Sequence, residues 1–124
     1  MQDTESRCEA LIDLIRLRKP VGAAVRSLAS YPWDSTGLVE LRVTDIANAL
    51  RVYEAGSISD EELEAWAEAI EGRDDVNLDP RDESTLKEFL FEVSTPEVNG
   101  RFDRNRSAAW RDRLGSEGAT TSVD

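Results

Sequence analysis

Carboxylates are the commonest chemically active side chains of this chain: 26 Asp and Glu stand against 15 Lys and Arg, with no histidine. The lack of histidine removes the commonest general base and transition-metal ligand. Cys8 or a serine would have no ready base to activate it as a nucleophile, and no phosphate-binding glycine loop is present. Among so many acids, pairs at any given spacing arise by chance, and nothing marks a buried pair with a raised pKa. The chain therefore reads as non-catalytic and without a cofactor.

One spacing fits a metal in part. Asp75, Asn77 and Asp79 match the first three ligand positions of a helix-flanked calcium loop. The sixth position is then Pro80, where the sharp turn needs glycine, and the twelfth is Leu86, where a bidentate Glu is needed. The expectation is a solvated turn, with Asp79 capping the helix that follows and no metal bound.

Glu61, Glu64 and Glu68 form a more specific pattern. They are neighbours three and four apart on one helix face, with no Lys or Arg between Ser59 and Gly72. Each such like-charge pair costs an isolated helix about 0.2–0.5 kcal/mol. Either a basic partner normally lies opposite, or the arginines of the same chain, Arg101, Arg104, Arg106, Arg111 and Arg113, neutralise the face internally. Phe91 is a second candidate contact. It lies about 150° from the apolar stripe Leu86, Phe89, Leu90 and Val93 of its helix. That helix is either buried on two faces or carries Phe91 as an aromatic anchor in an acidic rim.

The formal charge of −11 agrees with a binding surface. Residues 57 to 100 hold fourteen acids and three bases, an excess as large as that of the whole chain. Such a block disfavours nucleic acid and anionic membranes and attracts a basic protein over long range. No apolar run is long enough to span a membrane, the first residues lack a secretion signal, and Cys8 cannot form an internal disulfide. A cytoplasmic location is expected, with Cys8 in the core.

The elements that must position these groups are helical. Ser59 and Glu62 form a capping box, Ile58 and Leu63 a hydrophobic staple, and Leu63, Trp66, Ala67 and Ile70 one apolar face ended by a left-handed Gly72. Cys8, Leu11, Ile12 and Ile15 predict a first helix from Thr4 to about Leu17. A second starts at Pro20 with Val21, Ala24, Val25 and Leu28 inward, either separate from the first or joined to it by a kink. Trp33, in the loop SYPWDSTG, is expected as a lid on the core. The alternation of Leu38 to Val43 signals extended chain, with no strand in sight to pair with. Thr44 caps a helix to Ala55, a further helix starts at Asp79 or Asp82 and runs to about Ser94, and Phe102, Ala109, Trp110 and Leu114 mark the last. Residues 115–124 are small and polar and read as a disordered tail.

The segments LRVYEAGSISDEELEAWAEAIEGRDDV and LKEFLFEVSTPEVNG, residues 50–76 and 86–100, resemble a group of small uncharacterised bacterial all-helical acidic proteins. Their order of helix, Gly, Ile, Ser, acidic run and Trp is also similar to that of bacteriocin-type immunity proteins. That resemblance implies neutralisation of a basic toxin such as a nuclease; the alternative is a bacterial adaptor or regulatory scaffold. The expectation is thus a single-domain all-α bundle of five or six amphipathic helices over residues 1–114. It would bind a basic protein through Glu61, Glu64, Glu68 and Phe91.

Overall fold

The computed structural model describes residues 4–31 and 37–122, with side chains from 5 to 31 and 37 to 114. Trp33 lies outside the described residues. The helices are α1 (Thr4–Ile15), α2 (Val21–Leu28), α3 (Val43–Glu54), α4 (Asp60–Glu71), α5 (Glu83–Ser94), the single turn α6 (Pro96–Asn99) and α7 (Arg104–Ser122). The architecture is all-α, with one minimal sheet of β1 (Val39–Leu41) and β2 (Val76–Leu78).

The central helix is α4, which packs most extensively on α5 and also meets α1, α2 and α3. Its start is built as the sequence requires. The Glu62 amide donates to Ser59 Oγ at 3.1 Å, and the Ser59 amide donates to Glu62 Oε1 at 2.8 Å. Leu63, Trp66, Ala67 and Ile70 are all buried. Ser59→Ala removes the cap acceptor and is expected to cost about 1 kcal/mol in chemical denaturation. An unchanged urea midpoint would mean that solvent satisfies the first turn equally well. Gly72 ends the helix at φ −84°, outside the left-handed region, because the chain leaves through ordinary backbone bonds to Glu68 and Ile70. The left-handed turn is made instead by Gly56, φ 83°, after α3.

The first two helices are separate. Leu17 adopts φ 55°, its amide donates to the Leu14 carbonyl and the Arg18 amide donates to that of Asp13, a Schellman closure with leucine where glycine is usual. Leu17 is partly buried against the core, which offsets the steric cost of the left-handed backbone. Pro20 is the residue preceding α2. The buried stripe of α1 is Leu11, Leu14 and Ile15; Cys8 and Ile12 are only half-buried. Cys8 is therefore at the core's edge, with its thiol pointing to the Leu38 carbonyl at 3.9 Å. In α2, Val25 is exposed while Val21, Ala24 and Leu28 are inward.

The extended segment after residue 37 has a partner in its own chain. β1 pairs in parallel with β2, Val39 beside Val76 and Leu41 beside Leu78. A parallel pair needs a long crossover, and α3 with α4 supplies it. The sheet sits between α1, which meets β1, and α5, which meets β2. α3 starts two residues earlier than Thr44 would allow: Arg42 precedes it, and the Arg42 amide donates to Asp45 Oδ2 at 2.9 Å. Both proposed starts of the next helix are used. Asp79 accepts from the Arg81 amide and begins a 3₁₀ turn, Pro80–Asp82, that runs directly into α5.

In α7, Trp110 and Leu114 are buried, and Phe102 just before it is buried too. Ala109 is exposed; its expected place is taken by Ser107, which is buried and donates to Glu54. Phe89 meets Phe102 and Trp110 edge-on, at 6.0 and 5.2 Å between ring centroids. The helical backbone of α7 continues beyond Leu114, through the stretch 115–122 that composition alone reads as tail.

Candidate binding surface

The four residues singled out from the sequence fall on two adjoining features. Glu61, Glu64 and Glu68 lie along α4, on the side away from its buried face. Glu61 is held by Arg101 at 3.2 Å, in a pair with both side chains about two-thirds exposed. The carboxylates of Glu64 and Glu68 make no ion pair or hydrogen bond with another described residue. The arginine segment is directed elsewhere: Arg106 reaches Glu92 at 3.8 Å, Arg111 reaches Glu54 at 3.3 Å and Arg113 reaches Glu88 at 2.9 Å. Arg113 also lies over the Trp110 ring, 4.5 Å from its centroid. Hydrogen bonds from Arg113 hold the Glu88 carboxyl below the usual range, against the opposing effect of burial. Internal neutralisation thus takes one of the three glutamates and leaves two.

Phe91 is 47% exposed, so α5 is not buried on two faces. It lines a cleft of about 520 Å³ between the end of α4, β2 and the outer side of α5. Ile70, Val76, Leu78 and Leu90 give the cleft an apolar floor, and three acids, Glu71, Asp74 and Glu83, and two bases, Arg73 and Lys87, stand around it. Glu71 is three residues beyond Glu68, so the row 61, 64, 68 and 71 keeps helical spacing and leads from the exposed face of α4 to the cleft. The same spacing rule that picks out Glu61, Glu64 and Glu68 extends to Glu71, but the convergence of α4 with β2 is a tertiary fact with no local signal. Glu71 accepts a hydrogen bond from Ser94 Oγ at 2.7 Å, Glu83 is paired with Lys87 at 3.2 Å, and Asp74 is exposed without a cation among the described residues.

The supposed calcium positions are engaged by arginine. Asp75 is fully buried and takes Arg73 Nε at 2.9 Å, Arg73 Nη2 at 3.0 Å and Arg7 Nε and Nη2 each at 2.9 Å. Burial alone would raise its pKa, but the hydrogen bonds and charges of Arg73 and Arg7 outweigh that and hold it below the usual range. The turn is therefore not solvated at Asp75, because Arg7 arrives from α1, remote in sequence. Asp79 caps the 3₁₀ turn and is hydrogen-bonded by the Arg81 guanidinium at 3.1 Å, which also keeps its pKa low. Asn77 is exposed and its amide lies against Gly37, where an added Cβ would fall 2.0 Å from it.

Among the described residues no cluster of three Cys, Asp or Glu side chains is arranged to hold a metal, and no helix is long and apolar enough to cross a membrane. The surface is thus an acidic row on the central helix, joined to a half-apolar cleft with a strand along one wall. No protein-family model, curated protein or solved structure matches the chain.

Proposed function

We propose that this chain is a non-catalytic binding domain for a basic protein, and in its most specific form an inhibitor that neutralises a basic toxin such as a nuclease. The observation that supports it is the pair Glu64 and Glu68, two carboxylates left without a cation among the described residues while Arg106, Arg111 and Arg113 are directed to other acids. A row of like charges on one helix is mildly unfavourable for folding. It is useful where a cationic surface approaches, since complementary potential speeds encounter and rejects acidic competitors. A nuclease site shaped for phosphate is cationic, and an acidic helix laid across it would exclude the substrate.

The test is the double substitution Glu64→Gln and Glu68→Gln, which leaves the Glu61 pair in place. Stability is expected to stay within about 0.5 kcal/mol, the usual range for surface changes. Binding of a basic protein captured by the wild-type chain at low salt should slow, chiefly in on-rate, and the difference should shrink as salt is added. A variant that melts lower at low salt and recovers at high salt would show that these glutamates serve the fold. That result would remove the basis of the reading.

A further inference from the structure

The cleft has a feature that the acidic row does not explain, an unpaired strand edge along one wall. In the parallel pair, the Val39 amide donates to the Asp75 carbonyl at 3.2 Å and the Asp79 amide donates to that of Leu41 at 2.9 Å. With Val39 beside Val76 and Leu41 beside Leu78, the odd-numbered residues of β2 and its flanks face β1. The amides and carbonyls of Val76 and Leu78 therefore project from the opposite edge. Neither residue's backbone forms a hydrogen bond there with another described residue. Three consecutive residues, Val76, Asn77 and Leu78, line the cleft although their side chains alternate in direction, and no β1 residue does. It is the strand's outer edge that borders the cleft.

Resting on the reading of the chain as a binding domain for a basic partner, we infer that this edge is a strand-addition site. It takes an extended peptide segment with lysine or arginine at its flanks and an aliphatic side chain directed into the cleft. Two amides and two carbonyls are available to such a segment, the main-chain contacts on which strand addition depends. Side chains on alternate positions of the peptide would point to one face, where Phe91 and the half-buried Leu78 offer apolar surface over the buried Ile70 and Leu90. Charge decides the flanks. Asp74 immediately precedes the buried residue before β2 and carries no cation, Glu71 has only the Ser94 hydroxyl, and Glu68 continues the row along α4. Exposed edges invite unwanted pairing, and proteins guard them with charge. Of the cations in the lining, Lys87 is paired with Glu83 and Arg73 with the buried Asp75, so the charges left over beside the edge are the acidic Asp74 and Glu71, which disfavour an acidic strand and admit a basic one.

The probe is a displayed library of random dodecapeptides, selected on the full chain and counter-selected on Leu78→Pro. Proline at 78 removes an outward amide and no bond of the β1–β2 ladder. The expected winners alternate β-branched residues between basic flanks, and the corresponding synthetic peptide should bind at least tenfold more weakly to Leu78→Pro and severalfold more weakly to Phe91→Ala. Should Leu78→Pro not fold, methylating alternate backbone nitrogens of the peptide gives the same test with the native protein, and a loss of at least tenfold is again expected. Absence of enriched peptides, or affinity indifferent to backbone methylation, overturns the inference. So does a concentration-dependent dimer that competes with the peptide and is lost in Leu78→Pro, which would assign the edge to a second copy. If the peptide fails while capture of a basic protein still depends on Glu64 and Glu68, strand addition is wrong and the acidic-surface reading survives.

Discussion

Asp75→Ala is expected to destabilise the protein by about 3–5 kcal/mol, the range found when one partner of a buried ion pair is removed. The figure rests on geometry. Asp75 is completely buried, while the Arg7 and Arg73 side chains that converge on it retain 14% and 11% of their exposure. Its loss would take from two nearly buried guanidinium groups the buried carboxylate on which both converge. The residue also joins elements that lie far apart in sequence: Arg7 belongs to α1, Arg73 follows α4, and the Asp75 carbonyl receives the amides of Leu38 and Val39. Asp75→Asn keeps the shape and one acceptor oxygen but not the charge, and should fall between wild type and Asp75→Ala. The measurement is urea unfolding at neutral pH. A loss below 1 kcal/mol for Asp75→Ala would mean that the arginines find water instead.

The same triad fixes a pH dependence. Because the folded pKa of Asp75 lies below its ordinary value of 3.8, the folded state favours the ionised form. Its contribution to stability is full above that ordinary value and is lost as pH falls through the lower, folded pKa. Asp79 and Glu88 are shifted in the same direction by Arg81 and Arg113, so the wild-type chain should lose stability steeply in acid. Asp75→Asn should show a shallower acid limb. Equal slopes below pH 4 would contradict the assignment.

What the sequence reveals of this fold is what is local. Ser59 and Glu62 are three residues apart, so their reciprocal bonds are written in the chain, as is the 3.6-residue spacing of Leu63, Trp66, Ala67 and Ile70. Leu17 at φ 55° is not legible, since glycine or asparagine is the usual signal and a leucine is held there by tertiary packing. β2 is hidden for a related reason. Three residues, Val76, Asn77 and Leu78, give too little alternation to stand out, and their partner is separated by two helices. Asp75 was legible as chemistry but not as structure: its spacing from Asn77 and Asp79 imitates a metal loop, whereas its actual partner Arg7 lies on the first helix. Of the candidate surface, the row along α4 was readable from spacing alone, and so was the outward direction of Phe91. Their union through Glu71 and the edge of β2 depends on how α4, β2 and α5 meet.

Trp66→Ala should be comparably damaging, about 3–5 kcal/mol, the range for emptying a large buried aromatic site. Trp66 is fully buried in the middle of α4, the helix that α1, α2, α3 and α5 all contact. Its indole also donates to the Leu14 carbonyl at 2.8 Å, in the last turn of α1, where helical carbonyls lack intrahelical donors. Two effects therefore contribute, lost packing and a lost hydrogen bond, and Trp66→Phe separates them. The Leu14 carbonyl would keep its bond from the Leu17 amide at 3.1 Å, so it would not be orphaned. The hydrogen-bond share should then lie near the common net value of about 1 kcal/mol, with a further contribution from the smaller ring. Trp66→Phe is accordingly expected to cost clearly less than Trp66→Ala, with both variants retaining the same helical content at low temperature. If the two cost the same, the indole bond that closes α1 onto α4, and not the volume of the ring, is what the centre of this bundle requires.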